Sequence, residues 1–237
     1  VPIDIIGGTS QGAYVGGVWA LNDDPFDPIG SLATIRLVVR QFCARMSSVW
    51  EKIKELTLPI TSYFTGDGFN RVLIYTFGDS KIEDLPTPFY CITTDLSSSN
   101  GLVHRNGSLW RYVRASMTLT GYLPPVCDAR EDETGHEQTH LLVDGGYVNN
   151  LPADVMKSLG ASTIIAVDVS SDVRFRSIHY GHSLNGFWLL LRRLNPFGHR
   201  GSVPSMGEIS SQLAYVSSEW QRDETLQNDI DLYLKPP

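Results

Sequence analysis

Ile3–Gly17, IDIIGGTSQGAYVGG, is the stretch whose reading decides the fold. Its apolar opening (Ile3, Ile5, Ile6) is short and β-branched, as a buried strand is. Ala13-Tyr14-Val15 then reads as the first turn of a helix, and Gly8-Thr9-Ser10-Gln11-Gly12 between them is G-x-S-x-G. A strand that turns directly into a helix strains its central residue and crowds the neighbouring backbone. Gly8 and Gly12 are expected to remove the side chains that would collide there. Ser10 is then presented at a helix N-terminus, where free N–H groups favour developing negative charge. The spacing predicts a nucleophile elbow. Its plainer reading is a glycine-rich turn that happens to contain a serine.

A chain of 237 residues, 42% hydrophobic, can bury one sizeable core, which predicts a single domain over 1–237. It begins at Val1 rather than methionine, almost on top of the elbow, and is expected to be a piece of a longer protein. A net charge of −7 leaves no basic footprint, and nucleic acid is not expected as a partner. The three cysteines (Cys43, Cys91, Cys127) are widely spaced and odd in number, which suits reduced thiols better than a disulfide framework. No apolar run approaches the ~18 residues of a membrane-spanning helix.

Outward from the elbow, apolar residues recur every three or four positions from Ile35 through Val38, Phe42, Met46, Val49 and Ile53 to Leu56. That is an amphipathic helix or helix pair over Ser31–Leu56, packed on a sheet or capping a cleft. Arg71–Phe77 reads as a short helix, Phe89–Asp95 as a strand, and Ser108–Met117 as a helix carrying Arg111 and Arg114. Asp128–Glu137 is acidic and irregular, and is expected to be a loop. Leu141-Leu142-Val143 reads as a short buried strand, Leu151–Leu159 as a helix, and Ser162–Val169 as a further buried strand. Strands alternating with helices predict an α/β fold around a mostly parallel sheet.

The strand Leu141–Val143 delivers Asp144-Gly145-Gly146 at its carboxyl end. Functional groups of an open α/β sheet collect at such ends, so Ser10 and Asp144 are expected to meet on a shared sheet edge. A serine hydroxyl attacks only when a base takes its proton, and an aspartate within hydrogen-bond reach can be that base. Gly145 and Gly146 are expected to let the chain turn sharply and leave the approach to Ser10 open. Asp-Gly is equally a common turn pair.

Together, Gly8–Gly12 and Asp144-Gly145-Gly146 resemble the patatin-like phospholipases. Trp110–Pro125 (WRYVRASMTLTGYLPP), Leu142–Pro152 (LVDGGYVNNLP) and Tyr180–Trp188 (YGHSLNGFW) extend the resemblance to the catalytic domain of the neuropathy target esterase family of lysophospholipases. The resemblance implies a three-layer α/β fold and a serine hydrolase that deacylates lysophosphatidylcholine or phosphatidylcholine at a membrane surface. It assigns Ser10 the nucleophile's role and Asp144 the general base's, and implies no metal or organic cofactor. It also implies a location on the endoplasmic reticulum membrane, facing the cytosol. The family builds its oxyanion hole from a glycine-rich loop upstream of the elbow, so the segment from Val1 is expected to be weak or inactive alone, with the Gln11 N–H as one remaining donor.

Three other readings stay open. His136-Glu137-Gln138-Thr139-His140 is literally H-E-x-x-H, a zinc motif when helical, but its polar surroundings are poor helix formers. A conventional Ser-Asp-His triad would recruit His179, His182 or His199 to Ser10 and Asp144. A non-catalytic scaffold is the third. GFWLLLRR reads as a buried helix ending in surface charge, or as an interfacial segment that meets a membrane through Trp188, Arg192 and Arg193. Arg111 and Arg114 are candidates for a phospholipid headgroup, or are simply ion-paired helix residues.

Overall fold

The computed structural model describes residues 3–24, 27–47, 54–58, 60–131, 137–169, 183–186 and 229–236, with the single positions 203, 209, 212, 213 and 216. In chain order these form β1 (Ile6–Thr9), α1 (Gln11–Asn22), α2 (Pro28–Ser47) and α3 (Asp67–Phe77). There follow β2 (Phe89–Asp95), β3 (Asn100–His104), α4 (Leu109–Ser116), β4 (Val126–Glu131) and β5 (Glu137–Asp144). The last described elements are α5 (Ala153–Ser158), β6 (Ile165–Val167) and β7 (Leu232–Leu234).

The alternation of β2 sorts the layers. Phe89 and Cys91 join Ala13, Tyr14 and Val18 of α1, Leu73 and Phe77 of α3, and Leu109 and Val113 of α4 in one hydrophobic core. Tyr90, pointing the other way by the pleat, sends its hydroxyl 2.7 Å to the Pro152 carbonyl just before α5. Helices therefore cover both faces of a central sheet, as expected. α2 adds Ile35 to the core and lays Val38, Val39 and Phe42 against it, while Arg36 faces water. Tyr14 stacks on Phe42 with centroids 4.2 Å apart, which pins α2 across α1.

The sheet is mixed rather than mostly parallel. β1 and β2 are parallel, but β3 and β5 both run antiparallel to β2, and β4 antiparallel to β5. The physical reason is connection length. Only a few residues separate β2 from β3, and β4 from β5, which suffices for a reversal but not for a parallel crossover. The region expected to be an acidic loop thus supplies the arms of a hairpin, Val126–Glu131 and Glu137–Asp144. Its polar alternation conceals strands that show one face to solvent. Of the helix or helix pair expected over Ser31–Leu56, α2 supplies the part to Ser47 and Lys54 is helical; Leu56 bridges to Phe64 instead, and residues 48–53 lie outside the described residues.

The register around β2 positions the site. β3 occupies one edge of β2 from Cys91 to Asp95. A strand has only two edges, so β1 (opposite Phe89 to Ile92) and β5 (opposite Thr93 to Asp95) must share the other. β1 ends at Thr9 beside Ile92, and β5, coming from the opposite direction, ends at Asp144 beside Thr93. The two strands abut carboxyl end to carboxyl end.

Candidate active site

That abutment brings together two residues 134 positions apart: the Ser10 hydroxyl donates to Asp144 Oδ2 at 2.7 Å. Ser10 holds φ 55° and ψ −120°, a conformation that costs a non-glycine residue on the order of 1–3 kcal/mol. Its carbonyl accepts the N–H groups of Ala13 and Tyr14, which starts α1 immediately after it. The Gln11 N–H sits in the first turn, where no intrahelical acceptor exists.

The glycines play roles more divided than their spacing predicts. A Cβ on Gly8 would lie 2.4 Å from the Gly12 backbone, so Gly8 is required for the turn to close. A Cβ on Gly12 would meet nothing within 4 Å, so Gly12 contributes its backbone to that approach and needs no space of its own. Gly145 is required because a Cβ would lie 2.3 Å from the Ile92 carbonyl oxygen. Neither Gly145 nor Gly146 takes a positive φ, so close packing on β2 rather than a left-handed turn explains them. Gly146 instead supplies its N–H to Asp144 Oδ1 at 2.8 Å.

Asp144 is 2% exposed, and burial pushes its carboxyl up to about 6, with the Gly146 N–H and the Ser10 hydroxyl pulling the other way. Its backbone is fixed on both sides, the N–H to the Thr118 carbonyl at 3.0 Å and the C=O to the Thr94 hydroxyl at 2.8 Å. On the other half of the site, the Ser10 N–H donates to Ser116 Oγ at 2.9 Å, and that hydroxyl donates on to the Ile92 carbonyl at 2.6 Å. The Thr9 hydroxyl reaches the Asn149 carbonyl at 2.8 Å. Ser116 and Thr118 escape a reading of the two catalytic motifs, although both lie in the segment WRYVRASMTLTG at and just beyond the end of α4. Two residues past an arginine on a helix carry no signal of their own until the partner strands are in place.

Both oxygens of the Asp144 carboxylate are engaged by Ser10 and Gly146, with no imidazole between acid and serine among the described residues. Of the described histidines, His104 bonds Thr93 and His140 bonds Asp95. His179, His182 and His199 lie outside the described residues, as do Trp188, Arg192 and Arg193. Glu137–His140 belongs to β5, so the helical spacing that a zinc H-E-x-x-H requires does not apply; His136 is outside the described residues. Arg111 is an ion-paired residue, with Asp128 Oδ1 at 3.6 Å and the Cys127 carbonyl as a further acceptor. Arg114 is 3% exposed and bonds only neutral groups among the described residues.

Comparison with known proteins gives the family. The chain is 46% identical over 237 residues to patatin-like phospholipase domain-containing protein 6 of Homo sapiens, covering 100% of this chain and 16% of that protein. It is 44% identical over 237 residues to the neuropathy target esterase sws of Drosophila melanogaster, again 100% of this chain and 16% of the relative. It is 43% identical over 237 residues to lysophospholipase nte1 of Aspergillus niger, 100% of this chain and 14% of the relative. The chain therefore spans about one sixth of the length of the curated relatives it matches. The model of the patatin-like phospholipase family matches residues 1–157, which hold the elbow, β2, α4 and Asp144-Gly145-Gly146, and the chain belongs to that family.

Proposed function

We propose that this chain is the catalytic part of a serine hydrolase that removes the acyl chain of lysophosphatidylcholine or phosphatidylcholine at a lipid surface. The single observation that carries the reading is the direct 2.7 Å hydrogen bond from Ser10 to Asp144. Ser10 Oγ attacks the ester carbonyl carbon while its proton passes to Asp144 Oδ2, and the carbonyl oxygen becomes an oxyanion. We assign the Gln11 N–H, at the positive end of α1, as a donor to that charge. Collapse expels the glyceryl alkoxide, which takes the proton from Asp144 and leaves an acyl-Ser10 ester. Water then attacks with Asp144 again as base, releasing the fatty acid and restoring Ser10. A carboxyl raised to about 6 suits this cycle, since it is mostly ionised at neutral pH yet more basic than an ordinary aspartate.

Action at a lipid surface is supported by Leu58 and Ile60, which are 77% and 89% exposed. We place the activity on the cytosolic face of the endoplasmic reticulum on the resemblance alone. The test is lysophosphatidylcholine hydrolysis by the intact protein beside Ser10→Ala and Asp144→Asn. Loss of acyl release in both variants, with folding retained, is the expected result. Activity that survives Asp144→Asn would hand the base's role to a histidine. An inert but folded protein would leave only the scaffold reading.

A further inference from the structure

Arg114 is a charge taken out of water without a described carboxylate within ion-pair distance. Its Nε donates to Asn70 Oδ1 at 2.8 Å, one Nη to the Thr118 hydroxyl, and the other to the Pro124 carbonyl at 3.4 Å. All three acceptors are neutral. Burial pulls its pKa down to about 10, and the charge of Glu55 opposes that from outside ion-pair distance. A guanidinium carries five N–H donors, so these partners leave donor capacity unspent. Its face lies over the Phe69 ring, 5.4 Å from the centroid, which holds the fork in one orientation.

The group lines a cavity of about 180 Å³, whose wall also includes Thr65, Asn70, Trp110, Arg111 and Pro124. That is several times the ~30 Å³ share of one water molecule, yet smaller than the ~300 Å³ at which pockets for whole drug-sized ligands begin. It is room for a headgroup-sized anion and not for an acyl chain. A second guanidinium, Arg111, stands in the same wall with its side chain 39% exposed. The cavity wall is linked to the dyad by two hydrogen bonds: Thr118 accepts from Arg114 at its hydroxyl and from the Asp144 N–H at its carbonyl.

We propose that this cavity is a phosphate-binding subsite, in which Arg114 and Arg111 take the phosphate anion of the lipid headgroup and so orient the ester toward Ser10. The headgroup assignment rests on the hydrolase reading; the anion site does not. Both described partners of Arg111, Asp128 and the Cys127 carbonyl, meet the same Nη, which leaves its other N–H groups for an anion, and guanidinium N–H groups are the usual partners of phosphate oxygens.

The test uses the intact protein, with inorganic phosphate and glycerophosphocholine as probes against equal ionic strength of sodium chloride. Thermal shift reads binding, and competition with lysophosphatidylcholine reads location. Arg111→Gln and Arg114→Lys are the variants; the first also removes the ion pair to the buried Asp128, so circular dichroism and the Tm without probe verify that each variant is folded before binding is read. Both probes are expected to raise the wild-type Tm, with affinity reduced about tenfold by Arg111→Gln, the loss of one charge-assisted hydrogen bond. The ratio of kcat/KM for lysophosphatidylcholine to that for an uncharged monoacylglycerol is expected to fall by a similar factor. Competition by glycerophosphocholine supports the headgroup as the source. Binding of inorganic phosphate alone, sensitive to Arg111→Gln but not competitive, supports the anion site with free phosphate as its ligand. Arginine-dependent binding in a protein that hydrolyses no ester retains the anion site and removes the hydrolase reading. Binding of neither probe, or binding indifferent to both substitutions, overturns the proposal.

Discussion

The backbone N–H of Ser10 donates to the hydroxyl of Ser116 at 2.9 Å, and Ser116 is wholly buried. The residue at the strained turn is therefore held by α4 as well as by its own strand. The Ser116 hydroxyl donates in turn to the Ile92 carbonyl at 2.6 Å, so one hydroxyl ties the elbow, α4 and β2 together.

Ser116→Ala removes that tie and leaves a buried N–H and C=O unpaired, which costs on the order of 1–3 kcal/mol of stability. A shift of Ser10 by a fraction of an ångström is expected to lower kcat roughly ten- to a hundredfold with KM little changed. Steady-state kinetics on a soluble ester check the split. A purely structural role would lower the amount of folded enzyme and leave kcat per titrated site intact.

The pH profile follows from Asp144. With its carboxyl near 6, the base is lost by protonation as pH falls, so kcat/KM is expected to drop tenfold per unit below about pH 6. A profile that holds level to pH 4.5 would point to a different base.

The same shift has a stability sign. A carboxyl raised on folding from 3.8 to about 6 burdens the folded state wherever it is ionised, fully so above about pH 6, and the burden lifts as pH falls toward 4. Asp144→Asn is neutral and can still accept from Gly146 while donating to Ser10. It is expected to raise Tm by roughly 2–6 °C at pH 7.5 and by progressively less below pH 6, even though activity is lost. Differential scanning calorimetry across that range decides it.

The two elbow glycines and the glycine after Asp144 are separable by alanine. Gly8→Ala and Gly145→Ala drive a Cβ to 2.4 Å and 2.3 Å from backbone atoms, and both are expected to destabilise by more than about 3 kcal/mol or abolish folding. Gly12→Ala meets open space and, in a helix, is expected to be neutral or to stabilise by up to about 1 kcal/mol. Chemical denaturation of the three variants provides the comparison.

Leu58 and Ile60 are exposed beyond any packing role in the described structure. The double change Leu58→Ser, Ile60→Ser is expected to weaken sedimentation with phosphatidylcholine vesicles several-fold while leaving Tm within about 1 °C. Unchanged sedimentation would move the lipid contact elsewhere.

The local chemistry of this protein was legible in its sequence, because it depends on neighbours a few positions apart. Gly8–Gly12 between an apolar strand and a helix already specifies a strained serine at a helix start, and Leu141–Asp144 already specifies a strand ending in a carboxylate. The amphipathic spacing of Ile35, Val38 and Phe42 places α2 on the core for the same reason. The strands β3 and β4 were not legible, since their alternation is polar and partly exposed, and short reversals leave no hydrophobic signature. Only the tertiary structure decided how Ser10 meets Asp144. The two residues do meet on a shared edge, but β1 and β5 run toward each other along that edge of β2 and stop at adjacent residues, Ile92 and Thr93. Strand direction and register are set by non-local hydrogen bonds and core packing, which a residue's own neighbours do not encode. The same holds for Ser116, for the Thr118 carbonyl on Asp144 and for the bond from Arg114 to Asn70, each of which joins segments far apart in the chain.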